Sequence, residues 1–121
     1  MSISPLLPQD QDIEVEITYL TTEEGGRRKP AFPEYRPQFF YDGRDWDAVH
    51  TYPDVELVMP GQTVRAYLSF LSPECHVGRL SPGKEFLIRE GQRTVGKGHV
   101  TKILNLEASA KRIGRDASDC W

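Results

Sequence analysis

The sequence predicts an all-β domain, an antiparallel barrel or sandwich. Two segments alternate apolar and polar residues strictly, Gly and Pro pairs punctuate the chain, and no stretch before Asn105 has helical periodicity. About six or seven strands without intervening helices must close or pack face to face to protect their edges.

The clearest strand is Ile13 to Tyr19, with Ile13, Val15, Ile17 and Tyr19 on one face and Glu14, Glu16 and Thr18 on the other. The following EEGGRRKP stops it, since Gly25-Gly26 permits a turn and Pro30 has no amide for a ladder, giving a loop from about Glu23 to Pro33. Gln38 to Tyr41 is aromatic and β-prone, and Asp42-Gly43 after it is a tight-turn dipeptide, with Trp46 placed on the loop beyond. Val49 to Tyr52 reads as another strand, and Val55, Leu57 and Met59 alternate up to the turn pair Pro60-Gly61. Val64, Ala66, Leu68 and Phe70 then share one face of the second strong strand, which Pro73 ends. ECHVGRLSPGK is loop, and Glu85 to Glu90 with Thr94 to Leu104 forms a hairpin turning at Gly91. Leu106, Ala110 and Ile113 stand at helical spacing, so the tail is either a short helix or frayed chain. The expected organisation is a leader over 1–11, one domain over 12–104 and a tail over 105–121.

Length and composition narrow the function. A chain of 121 residues holds one ordinary domain. No apolar run is long enough to span a membrane, and the start, MSISPLLPQDQD, lacks the basic and apolar regions of a secretory signal, so a cytoplasmic site is expected. The formal net charge of -3 excludes a general electrostatic grip on nucleic acid and leaves only local contacts. Cys75 and Cys120 sit in no CxxC pair and are expected as free thiols.

GQRTVGKG, residues 91–98, has the spacing of a phosphate-binding loop, but the hydroxyl position is Gly98. The β-branched, alternating HVTKIL that follows is strand, where such a loop requires a helix. The glycines are therefore read as belonging to a bent barrel strand. Cys75-His76 has no third group to orient a nucleophile and base, and His50, His76 and His99 match no zinc spacing. No catalytic residue, metal or cofactor is expected.

EEGGR (23–27), YRPQF (35–39), VMPG (58–61) and IREGQRTVGKG (88–98) occur in order and together resemble the C-terminal β-barrel, domain 3, of bacterial elongation factor Tu. The resemblance covers about Ile13 to Leu104 and implies a closed antiparallel barrel of about six or seven strands. In that factor the first domain binds GTP and the third contacts the T-stem of tRNA and packs on the GTPase domain. A chain resembling the third domain alone should not bind or hydrolyse GTP.

Carried over where residues match, the T-stem contacts are Arg27, Gln38 and Glu90-Gly91, groups suited to holding phosphate and ribose by shape. The sequence departs from the family at Asp47, often threonine, and at Ser72, where a tRNA-contacting lysine occurs; both changes disfavour phosphate. On the GTPase-domain side LRFAIRE becomes KEFLIRE, so Glu85 replaces arginine and Leu87 replaces alanine, and the loop from Pro73 to Glu85 is longer. Glu85, Leu87 and Trp46 are the expected partner interface. The resemblance thus implies a non-enzymatic module binding tRNA or a translation protein, such as a translation GTPase. The alternative is a mimic competing for a protein partner of elongation factor Tu.

Overall fold

The computed structural model describes residues 11–121. The expected leader lies outside the described residues except for Gln11. Six strands form one sheet: β1 (Ile13–Tyr19), β2 (Gln38–Tyr41), β3 (Arg44–Thr51), β4 (Thr63–Phe70), β5 (Glu85–Glu90) and β6 (Arg93–Ile103). They close into a barrel in the order β1-β4-β3-β2-β5-β6, every pair antiparallel, with β6 returning to β1. The barrel is the architecture expected from the sequence, and closure removes the edges an open sheet would expose.

Alternation sets the core. Ile13, Val15, Ile17 and Tyr19 point inward with Ala66, Leu68 and Phe70 of β4, and all are buried. Phe39 fills the centre, stacked on Phe86 at 4.4 Å and edge-on to Phe70 at 5.1 Å. The two inward glycines of VGKGH leave room for this packing. A Cβ on Gly98 would lie 2.2 Å from the Glu16 carbonyl oxygen and 2.9 Å from Phe86 Cζ, so β1 approaches β6 only because that atom is missing.

Three local expectations are corrected. Strand β3 begins at Arg44, so Trp46 lies in a strand and not on a loop. Polar Arg44, Asp45 and Asp47 hid it in the sequence: Asp45 and Asp47 are its outward residues, while Arg44 stands at the exposed start of the strand, in phase with Trp46, Ala48 and His50, with its guanidinium over the Trp46 ring. Val55 to Met59 forms no strand; Val55 and Met59 are exposed, and the single bridge, Ala31 to Val58, uses a residue off that alternation. Cys75 and Cys120 are not free thiols but form a disulfide across 45 residues. Their pairing depends on the tail returning across the barrel mouth, which spacing in the chain does not reveal.

That return uses α1 (Leu106–Ile113), whose buried residues are Leu106 and Ser109, while Ile113 is exposed. The Ser109 hydroxyl donates to the buried carboxylate of Asp12 at 2.5 Å, and Asp12 also accepts from the Phe70 amide at 2.7 Å. Burial raises the Asp12 pKa. Beyond the helix, Arg115 pairs with Glu74, Trp121 donates its indole N–H to the Cys75 carbonyl, and the disulfide completes the latch.

Candidate RNA-binding end and partner groove

The barrel has two differently built mouths. At one, the β1–β2 loop meets the β5–β6 hairpin, bringing Arg27 against Glu90. The guanidinium also donates to the carbonyls of Lys29 at 3.2 Å and Pro30 at 3.1 Å, and it lies 4.5 Å over the Tyr35 ring. The Tyr35 hydroxyl donates to the same Glu90 carboxylate oxygen at 2.5 Å, and Arg93 donates to the other at 3.3 Å. Against the burial that would raise it, the Tyr35 and Arg27 hydrogen bonds hold the Glu90 carboxyl below the usual range. Burial, with Glu90 beside it, pushes the Tyr35 phenol well up.

Gly91 starts the two-residue turn with φ +63°, and a side chain there would meet open space. Gln38 lies on the outer face of β2 and donates to Asp47 at 3.2 Å. Asp47 therefore occupies the amide of Gln38, a residue expected from the sequence to face RNA. The structure brings Arg27, Glu90 and Gly91 together at this mouth, with Gln38 on the adjoining outer face. Ser72 is beyond the end of β4 at the opposite mouth. Exposed Arg28, Lys29 and Arg36 make no ion pair among the described residues and are the uncommitted cations of the Arg27 mouth.

A groove of about 620 Å³ crosses the outer faces of β1, β6, β5 and β2. Phe40 and Leu87 supply its half-buried apolar surface, and Glu85, Glu16, His99 and Lys97 its polar groups. Cross-strand register explains the grouping: His99 stands opposite Glu16 on one side and Glu85 on the other, while Leu87 is opposite both Phe40 and Lys97. Glu85 and Leu87 are thus neighbours in one concave surface. Trp46 is not with them. It sits half-buried at the second mouth, its ring 4.7 Å from that of His76 and 5.1 Å from that of Trp121.

Sequence reasoning missed Tyr35, which joins Arg27 to Glu90, and the groove residues Phe40, Glu16, Lys97 and His99. Phe40 carried a signal, an aromatic on the outward phase of QFFY. The two central histidines are core residues: burial drives His50 to a pKa of about 3, and burial with nearby Arg79 does the same to His76. Neither can serve as a proton carrier near neutrality.

The fold is a closed six-stranded antiparallel β-barrel with charged loops at one mouth and a concave outer face. The family model described as "Elongation factor Tu C-terminal domain" matches residues 7–104. The chain belongs to this family, and domain 3 of elongation factor Tu is a non-catalytic barrel. Among the described residues, no helix is long and apolar enough to cross a membrane.

Proposed function

We propose that this chain is a non-enzymatic binding module of translation whose partner is a protein seated in the groove around Glu85 and Leu87. The observation that carries the reading is that groove, with Phe40 and Leu87 as apolar contact surface and the carboxylates of Glu16 and Glu85 exposed. Apolar area there supplies affinity, and the carboxylates select a partner with complementary cations. Glu85 replaces a family arginine, so the partner face differs from that of an ordinary GTPase domain. A translation GTPase with an altered face, or a protein partner of elongation factor Tu for which the chain competes, fits this charge. The test places a photo-crosslinking residue at position 87 and, separately, at position 38 in the native lysate. A translation protein captured from 87 and lost with Glu85→Arg supports the reading; absence of any translation component from both positions refutes it.

A second reading is tRNA binding at the Arg27 mouth, favoured by the unpaired Arg28, Lys29 and Arg36. Arg27 itself would position the loop through Glu90 while its neighbours meet phosphate. Labelled tRNA that fails to bind at low salt, or binds Arg28→Ala/Lys29→Ala as it binds the native chain, removes this reading.

A further inference from the structure

At the second mouth the disulfide is surrounded by groups that a disulfide does not need. The Glu74 carboxylate lies 3.8 Å from Cys75 Sγ, and the two sulfurs and one Glu74 oxygen all fall within 4.8 Å of one another. These three residues, with Asp116 and Asp119, line a cleft of about 210 Å³. Arg115 donates to Glu74 from its Nε at 3.1 Å and from Nη2 at 3.3 Å, and Arg44 donates to the Cys120 carbonyl. Nothing in the partner groove or at the Arg27 mouth uses any of them.

The geometry points to a zinc site in the reduced chain, with Cys75, Cys120 and Glu74 as ligands, which holds the tail in place of the disulfide. Two thiolates and a carboxylate are a donor set for tetrahedral zinc, and Asp116, Asp119 or a water completes it. Arg115 Nη2 holds Oε1 of Glu74, as a hydrogen bond that orients a ligating carboxylate, while Oε2, which also accepts from Arg115 Nε, is the oxygen beside Cys75 Sγ that turns to the metal. Reduction takes two electrons and two protons from a small-molecule thiol couple, which becomes its own disulfide, and yields two thiols. Zinc then displaces both thiol protons to solvent. The oxidised chain has no thiolate to offer, so disulfide and metal are mutually exclusive closures of one latch.

Both tryptophans of the chain, Trp46 and Trp121, pack at this mouth, so intrinsic fluorescence reports the latch directly. The experiment titrates zinc, against a chromophoric chelator, into the full chain reduced and freed of reductant, with cobalt(II) as the spectroscopic probe. The expected result is one metal per reduced chain, a thiolate-to-cobalt absorption band, and a tryptophan emission that red-shifts on reduction and returns on adding zinc. The oxidised chain and Cys120→Ser should bind more than about 100-fold more weakly, beyond the range for loss of an outer hydrogen-bond partner. Glu74→Gln should bind more weakly than the native reduced chain while keeping the thiolate band. The oxidised native chain is the control that needs no substitution and cannot be lost to misfolding. The proposal is overturned if reduced and oxidised chains bind zinc equally, if Cys120→Ser binds as the native chain does, or if Glu74→Gln is without effect.

Discussion

Arg27 and Glu90, 63 residues apart in the chain, form an ion pair that ties the β1–β2 loop to the β5–β6 hairpin, and the Tyr35 hydroxyl shares the carboxylate. Two residues expected to face RNA are thereby committed to each other. The pair is a structural clasp that shapes the mouth and leaves Arg28, Lys29 and Arg36 as the uncommitted cations beside it.

Replacing Glu90 with Gln should cost about 1.5–3 kcal/mol, the range for hydrogen bonds to charged groups, measured by urea unfolding. The cost should depend on pH with a definite sign. The folded carboxyl binds its proton less tightly than the ordinary value of 4.5, so its contribution is complete above that value and fades as pH falls through the lower folded value. The gap between native and Glu90→Gln stability should therefore close in acid; a gap independent of pH would show that the carboxylate charge is not the source.

His50 and His76 predict a second acid effect in a higher window. Each has an ordinary value of 6.5 and a folded value near 3, so the unfolded chain takes up the proton first. Stability should be complete above pH 6.5 and fall below it by about 1.4 kcal/mol per pH unit for each histidine. His50→Gln should remove about half of that slope in unfolding curves collected across the window. An unchanged slope would assign the acid sensitivity elsewhere.

Gly98 and Gly91 should respond differently to alanine. At Gly98 the new Cβ meets the Glu16 carbonyl oxygen at 2.2 Å, backbone that cannot yield without parting β1 from β6. Thermal unfolding should show a loss of about 1–3 kcal/mol or more. At Gly91 no atom is in the way and only the positive φ opposes the change, at about 1–2 kcal/mol. Equal losses would mean that close approach of the strands is not what Gly98 provides.

If tRNA binds at the Arg27 mouth, Arg28→Ala or Lys29→Ala should each weaken binding uniformly across tRNA species and lower the salt slope by roughly one phosphate contact. A filter-binding salt series measures this. Glu90→Gln, which frees the Arg27 charge, should strengthen the same binding at low salt, and a decrease there would place Glu90 itself on the RNA.

Strand identity was legible because a half-buried strand writes its two faces into alternate residues, as at Ile13–Tyr19 and Val64–Phe70. The turn at Asp42-Gly43 and the hairpin at Gly91 were legible because few residues suit those backbone angles. Strand β3 was partly hidden, since Asp45 and Asp47 face outward, Arg44 at the exposed strand start puts a charge on the inward phase, and only Trp46, Ala48 and His50 report the core. The family resemblance grouped Glu85 and Leu87 as one expected interface, but did not set them beside Phe40 and His99. Those neighbours come from register across strands, which depends on barrel closure.

By itself the sequence determined the alternating strands, the turns between them and the barrel family they belong to, because each rests on short-range stereochemistry and ordered motifs. Only the tertiary structure decided that Arg27 spends its charge on Glu90, that Asp47 occupies Gln38, and that Cys120 returns to Cys75. Each of those pairs joins distant or cross-strand residues, and side chains meet across such separations only when closure of the sheet has fixed where every strand lies.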